Sequence, residues 1–281
     1  MSSRAESISN ADFGRLRHLI YTQAGINLSP DKKTMLELRI RRRLRSLNLN
    51  SYDEYCKYLF EGNGQRDELV HLIDVVTTNK TDFFREPDHF DYLTQKALPD
   101  LIARNESGRP VFVWSAGCST GEEAYTLAMV LSEYAERHPG FRFQVLATDI
   151  STTVLEKASL AVFNREAVRP VPPEFRKKYF MRSRDPKSNR LRVVPELRRV
   201  VEFRRLNFMD AEFGLAQKLD MIFCRNVIIY FDRPTQQRIL QKLAAQLVPG
   251  GYVFVGHSES LHSMDVPLTP VAPALYRSNR C

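Results

Sequence analysis

From residue 111 onward, short apolar runs alternate with amphipathic stretches of helical period, and that alternation restricts the chain to a mostly parallel, doubly wound sheet. Residues 111–114, 143–147, 200–203, 220–223, 252–255 and 274–277 read as strands. Residues 122–137, stopped by Pro139-Gly140, read as an amphipathic helix, as do 151–161 and 234–247, the last ahead of Pro249-Gly250-Gly251. A basic stretch around residues 170–195 interrupts the alternation and is expected to form a small insertion.

The pattern before residue 110 is different. Residues 10–85 carry helical periodicity only. Asn10 and Asp12 can cap a helix bearing Phe13, Leu16, Leu19 and Ile20; Gly25 ends it, and Ser29-Pro30 starts the next. In that second helix Leu36, Ile40, Leu44 and Leu47 form one stripe, with Arg39 and Arg42 on one flank and Arg41 and Arg45 on the other. Further helices are expected over 51–59 and 65–75 with Gly62-Asn63-Gly64 turning between them, a connecting helix over 88–104, and a break over 105–110.

The net charge of +8 and a pI near 9.4 favour an anionic partner, and the excess is concentrated. Residues 31–47 hold seven basic residues against Asp31 and Glu37, and residues 164–205 hold fourteen against five acids. No apolar run reaches the ~18 residues of a membrane span, and Met1-Ser-Ser-Arg-Ala-Glu6 lacks the apolar segment of a secretory signal, so a cytoplasmic protein is expected. Cys56, Cys118, Cys224 and Cys281 lie far apart, and the six histidines show no metal-ligand spacing, so neither disulfides nor a metal centre is expected.

Four segments carry the chemistry. In Val111-Phe-Val-Trp-Ser-Ala-Gly-Cys-Ser-Thr-Gly-Glu-Glu123 a strand enters a small-residue turn and then a helix, and Gly117 and Gly121 let backbone approach a ligand. Two glutamates on the first helical turn repel a pyrophosphate but attract an ammonium group, which disfavours a dinucleotide. They also suit the helix dipole, as an ordinary strand-helix turn would have them. Asp149 ends the second strand, where an acid can bind ribose hydroxyls or simply cap the next helix. The run from Ile222 to Asp232 delivers Arg225, Asn226 and Tyr230 beyond an apolar strand. Thr77-Thr-Asn-Lys-Thr-Asp-Phe-Phe-Arg85 suits either an interdomain turn or a lid with Arg85 for an anionic substrate.

Together these segments resemble the chemoreceptor glutamate O-methyltransferases of bacterial chemotaxis, the CheR family. The matching pieces are Thr77-Thr-Asn-Lys-Thr-Asp-Phe-Phe-Arg-Glu86, Trp114-Ser-Ala-Gly-Cys-Ser-Thr-Gly-Glu-Glu123, Ala147-Thr-Asp-Ile150, Tyr179-Phe-Met-Arg182, Phe223-Cys-Arg-Asn-Val-Ile-Ile-Tyr-Phe-Asp232 and Gly256-His-Ser-Glu259. The resemblance implies an all-α N-terminal receptor-recognition domain (1–86), a connecting helix (87–110) and a Rossmann-like S-adenosylmethionine-binding catalytic domain (111–281). A small antiparallel β-subdomain is inserted in the last at about 164–200. It further implies that Asn79, Thr81, Arg85, Glu123, Asp149, Asn207, Phe208, Arg225 and Asn226 contact the cofactor, with Glu123 at the methionyl group, Asp149 at the ribose and Asn207-Phe208 by the adenine.

A glutamate of pKa about 4.3 is already ionised at neutral pH, so the implied transfer to a receptor glutamate needs no general base. Arg85 and Tyr230 are the expected catalytic residues, for holding the acceptor carboxylate and for packing beside the methyl group. Arg39, Arg41, Arg42, Arg43 and Arg45 are expected to face an acidic receptor surface, or else to form a solvated helix face; residues 182–192 are expected to offer a β-edge to a receptor's C-terminal peptide. The expected setting is cytoplasmic, beside receptor clusters, with nothing demanding more than a monomer. A nucleic-acid methyltransferase is the rival reading. However, Asn226-Val-Ile-Ile-Tyr230 lacks the Pro-Pro-aromatic sequence that follows Asn in amino-methylating enzymes, and the basic helix has no interleaved aromatics. A non-catalytic cofactor-binding module that docks on receptors is the other.

Overall fold

The computed structural model describes residues 7–61, 65–104, 108–185 and 187–279. The Gly62-Asn63-Gly64 turn, residues 105–107 of the expected break, Pro186 and Cys281 lie outside the described residues.

The N-terminal part contains α1 (Asn10–Ala24), α2 (Lys33–Leu47), α3 (Tyr52–Glu61) and α4 (Gln65–Val76). Their apolar stripes meet in one core of Leu16, Ile20, Leu36, Ile40, Tyr55, Leu59 and Leu72. Fully burying each Leu or Ile there contributes about 1.5–3 kcal/mol. Ser9, and neither Asn10 nor Asp12, caps α1: its side chain accepts the Asp12 N–H. Asp12 loses that role because it already lies inside the first turn. Pro30 opens a 3-10 turn, Pro30–Lys32, that leads into α2.

The connecting helix consists of α5 (Asp88–Tyr92) and α6 (Leu98–Arg104), joined without a break through a π-helical turn, Leu93–Ala97. Beyond it the alternation resolves into β1 (Val111–Ala116), α7 (Glu122–Arg137), β2 (Phe143–Asp149) and α8 (Thr152–Leu160). Next come β3 (Val162–Asn164), α9 (Pro173–Tyr179), β4 (Phe180–Arg182), β5 (Arg190–Val193) and α10 (Pro195–Arg199). The chain finishes with β6 (Val201–Arg205), β7 (Leu219–Cys224), α11 (Arg233–Gln246), β8 (Leu247–Val255), β9 (Leu268–Ala272) and β10 (Leu275–Ser278).

Seven strands form one sheet in the order β6-β2-β1-β7-β8-β10-β9, parallel from β6 to β8 and antiparallel through β10 and β9. Alternation along each strand divides the core between the two faces. Val113, Met221, Phe223 and Phe254 lie in one cluster, whereas Trp114, Ile222, Cys224 and Val253 lie in the other. β3, β5 and β4 make a separate antiparallel sheet, the expected small inserted subdomain. Two details differ from the sequence reading. β8 already includes Pro249-Gly250-Gly251, accommodated by a register irregularity opposite Leu219/Met221. β9 was not expected, because Pro270 breaks its alternation; it is tolerated on an edge strand.

The chain runs outward from β1 in both directions, through β2 and through β7. The strand order therefore reverses at β1, and the crevice beyond the carboxyl ends of β1, β2 and β7 is where an open α/β sheet takes a ligand.

Candidate functional site

The turn after β1 is fixed by backbone. Gly117 (φ +90°) and Cys118 donate their N–H groups to the Thr148 carbonyl of β2 at 2.8 and 2.9 Å. A Cβ at Gly117 would stand 2.5 Å from Cγ2 of Val227, so only glycine fits between the two loops. Ser119 (φ 50°) donates its N–H to Asp149 Oδ2 at 2.9 Å and its hydroxyl to the Asn79 carbonyl at 2.9 Å. Asp149 Oδ1 accepts the Ser151 N–H at 3.0 Å, while Ser151 itself caps α8. Asp149 thus braces the helix entry and still borders the crevice with unused lone pairs. Burial pushes its carboxyl above its ordinary pKa, against the pull of the backbone N–H groups.

Glu123 is on the first turn of α7. It accepts the Ser115 hydroxyl at 2.7 Å and lies 3.6 Å from Arg225. Burial raises this carboxyl too, with Arg225 acting in the opposite sense. Glu122, beside it, turns away to Thr120 at 2.6 Å.

The wall after β7 is built around two buried charges. Arg225 donates Nε to Glu86 at 3.2 Å, bonds the Arg85 carbonyl through Nη2, and stands 5.5 Å over the Phe90 ring. Glu259 accepts four backbone N–H groups: Gly256 at 2.6 Å, Asn226 at 2.8 Å, Val227 at 2.9 Å and Ile229 at 3.3 Å. That carboxylate holds Asn226 in left-handed backbone (φ 58°) and fixes the short 3-10 helix Ile228–Tyr230 that presents Tyr230. Such strain concentrates where surrounding structure imposes it.

The segment 77–86 is pinned in its middle. Phe83 is buried with its ring 4.9 Å from Phe163 and 5.7 Å from Phe180, and the Phe84 N–H reaches the Thr126 hydroxyl at 3.2 Å. The Arg85 guanidinium makes a 3.4 Å contact with the Lys80 carbonyl and remains half-buried. The segment is therefore a strap across the crevice and less a free lid. On the opposite side Asn207 donates its amide to the Gln23 carbonyl of α1 at 2.6 Å, tying the N-terminal helices to the sheet, and Phe208 packs against Phe213 and Phe231.

These walls enclose a cleft of about 1040 Å³, mouth included, with Ala24 and Ile26 closing one side. Asn79, Thr81, Arg85, Glu123, Asp149, Asn207, Phe208, Arg225, Asn226 and Tyr230 all line it. The basic helix divides differently. Arg39 spends its guanidinium on the Val76 and Thr77 carbonyls, and Arg43 pairs with buried Glu68 at 2.7 Å, with Tyr55 on the same carboxylate. Both are internal braces; Arg41, Arg42 and Arg45 are the exposed members.

Sequence reasoning missed Glu86 and Glu259 as organisers. Glu259 lies in the Gly256-His-Ser-Glu259 match, and an acid four residues beyond an apolar strand end was the available signal. It also missed that His257, far along the chain, comes to Glu86 and His89. Among the described residues no helix is long and apolar enough to cross a membrane, and Cys56, Cys118 and Cys224 are buried thiols.

Comparison with known proteins adds three findings. The family pattern described as CheR methyltransferase, SAM binding domain, matches residues 79–272, and that described as CheR methyltransferase, all-alpha domain, matches residues 11–77. The chain is 38% identical over 276 residues to the chemotaxis protein methyltransferase of Borreliella burgdorferi, covering 97% of this chain and 96% of that protein. It is 41% identical over 250 residues to chemotaxis protein methyltransferase 2 of Pseudomonas aeruginosa, covering 89% and 86% respectively.

Proposed function

The chain belongs to the CheR methyltransferase family, and we propose that it methylates glutamate side chains on the cytoplasmic domains of chemoreceptors. It is an S-adenosylmethionine-dependent methyltransferase of chemotaxis. The observation that carries the glutamate assignment is the arrangement of charge in the cleft. Two acids, buried Asp149 and part-buried Glu123, lie on the sheet side, and the half-buried Arg85 guanidinium lies on the strap, lining the same cleft as Tyr230.

The residues present fit the cofactor. Burial disfavours Glu123 and Asp149 as anions, so an ammonium group at Glu123 and hydroxyl donors at Asp149 would each favour the charged form. Glu123 would hold the ammonium group of the methionyl end, and Asp149 the ribose hydroxyls, with Asn207 and Phe208 beside the base. S-adenosylmethionine supplies a methyl group on a sulfonium sulfur; a carboxylate oxygen forms the new O–CH3 bond while the S–CH3 electron pair returns to sulfur as a neutral thioether. The chain's own part is to align the reactants, which can lower a barrier by about 7–11 kcal/mol. Arg85 binds the incoming carboxylate without a proton transfer, and Tyr230, fixed by the Glu259 turn, packs beside the methyl group. Arg225 keeps the strap against Glu123, so cofactor and acceptor sites are held by one ionic chain from Glu86 to Glu123.

The N-terminal helices would recognise the receptor. Arg41, Arg42 and Arg45 supply the exposed positive face, steering an acidic helical partner more than binding it tightly. The edge strand β4 would accept a receptor's C-terminal peptide by strand addition. In this reading the enzyme works in the cytoplasm beside receptor clusters, as a monomer. The test is kinetic: Arg85→Ala and Tyr230→Phe are each expected to lower kcat on a receptor fragment at saturating S-adenosylmethionine. Unchanged turnover in both variants would remove the assignment.

A further inference from the structure

Behind the wall of the cleft made by Arg225, one ligand atom each of Glu86, His89 and His257 falls within 4.8 Å of the other two. Glu86 ends the strap in left-handed backbone (φ 54°), His89 is in the first turn of α5, and His257 follows β8. His89 is fully buried, yet neither of its ring nitrogens has a hydrogen-bond partner. An imidazole carries at least one N–H, and a neutral one also has a lone pair, so each unpaired group costs about 1–3 kcal/mol in an interior. Glu86 Oε2 stands 3.5 Å from His89 Nδ1, and the His257 ring is edge-on to His89 with centroids 4.9 Å apart. Asp88 lies 3.0 Å from His257 Nε2. In the tautomer that donates Nε2–H to Asp88, His257 Nδ1 keeps its lone pair, and a carboxylate fixes the ring as it commonly does for metal-bound histidine.

We propose that Glu86, His89 and His257 form a site for a divalent transition-metal ion of the zinc class, and that its occupancy weakens cofactor binding. Two imidazoles and one carboxylate are a donor set that zinc accepts, with a fourth position left for solvent. The effect on the cleft follows from shared partners and rests on the methyl-transfer reading. Glu86 Oε2 also holds Arg225 Nε at 3.2 Å, and Arg225 reaches Glu123. A cation that draws Glu86 away and repels the guanidinium releases the strap from the wall.

The probe is Co2+ absorption on tag-free full-length protein, with Zn2+ as competitor followed by calorimetry. The expected result is one ion per chain, visible d–d bands, displacement by Zn2+, and affinity lowered by about tenfold or more in His257→Ala. Because His257 is half-exposed on its side chain, that variant avoids emptying the core. Saturating Zn2+ is expected to weaken S-adenosylmethionine binding severalfold in the wild type and not in His257→Ala. No stoichiometric ion, binding unchanged in His257→Ala, or intense near-ultraviolet thiolate bands would overturn the site. Stoichiometric binding with unaltered cofactor affinity would overturn its influence on the cleft. Neither readout needs a methyl acceptor, so a wrong glutamate assignment would leave both standing.

Discussion

Replacing Glu259 with glutamine should loosen the turn that carries Asn226 and Tyr230. Oε2 of Glu259 accepts the Gly256 and Asn226 N–H groups, and Oε1 accepts those of Val227 and Ile229. Glutamine offers one oxygen, so its NH2 group must confront two backbone donors. Bonds to a charged acceptor are worth about 1.5–3 kcal/mol each. The weaker pair, at 2.9 and 3.3 Å, is the one the variant would give up, so the cost lies near the low end, about 3 kcal/mol. If the catalytic unit unfolds cooperatively, that loss lowers Tm by about 6–12 °C; a loop that relaxes locally would show less of it in Tm and more in cofactor affinity. Differential scanning calorimetry and S-adenosylmethionine titration on the same preparation separate the two. Wild-type Tm together with wild-type affinity in Glu259→Gln would refute the argument that this carboxylate builds the turn.

Other consequences can be checked alongside. Gly117→Ala puts a Cβ against Val227 in backbone of φ +90°, so it should abolish cofactor binding or lower Tm markedly, which calorimetry would detect. Arg43→Ala leaves Glu68 buried without its partner and should cost about 3–5 kcal/mol in denaturant unfolding. Arg41→Glu with Arg42→Glu should instead leave stability within error and slow receptor methylation in a salt-dependent way. Burial raises the pKa values of Glu123 and Asp149, so the fold binds more protons than the unfolded chain between their ordinary and raised pKa values. Lowering the pH through that window favours the ligand-free fold from these two groups, while affinity for the cationic cofactor falls. The Tm increase produced by S-adenosylmethionine should therefore shrink as pH falls towards the carboxylate range, and Asp149→Asn should already show a smaller increase at neutral pH.

How much of this could be read in the sequence depends on range. The β1 turn, Asp149 and the Arg225-Asn226 pair were legible because each lies at a strand end, where alternation stops and polar residues begin. The expected doubly wound sheet followed from the same alternation. Strands β3, β4 and β5 were legible only as an insertion, since Arg182, Arg190 and Arg192 put charge on short strands of an exposed sheet. β9 was hidden by Pro270. The basic helix misled in part: its periodicity places Arg39 and Arg43 on a surface, but it cannot show that the chain's own carbonyls and Glu68 return to that surface. The approach of His257 to Glu86 and His89 was invisible for the same reason, because that strand end meets the strap and its helix only in three dimensions.

The central claim is that the acceptor is a receptor glutamate, and one incubation tests it most directly. Methyl-labelled S-adenosylmethionine is presented with the enzyme to receptor cytoplasmic fragments, RNA and DNA in parallel, and the products are treated with alkali. Label is expected on the receptor fragment alone, mapped to glutamate and released by base as methanol. Alkali-stable label, label on nucleic acid, or none at all from an enzyme that binds the cofactor would contradict it.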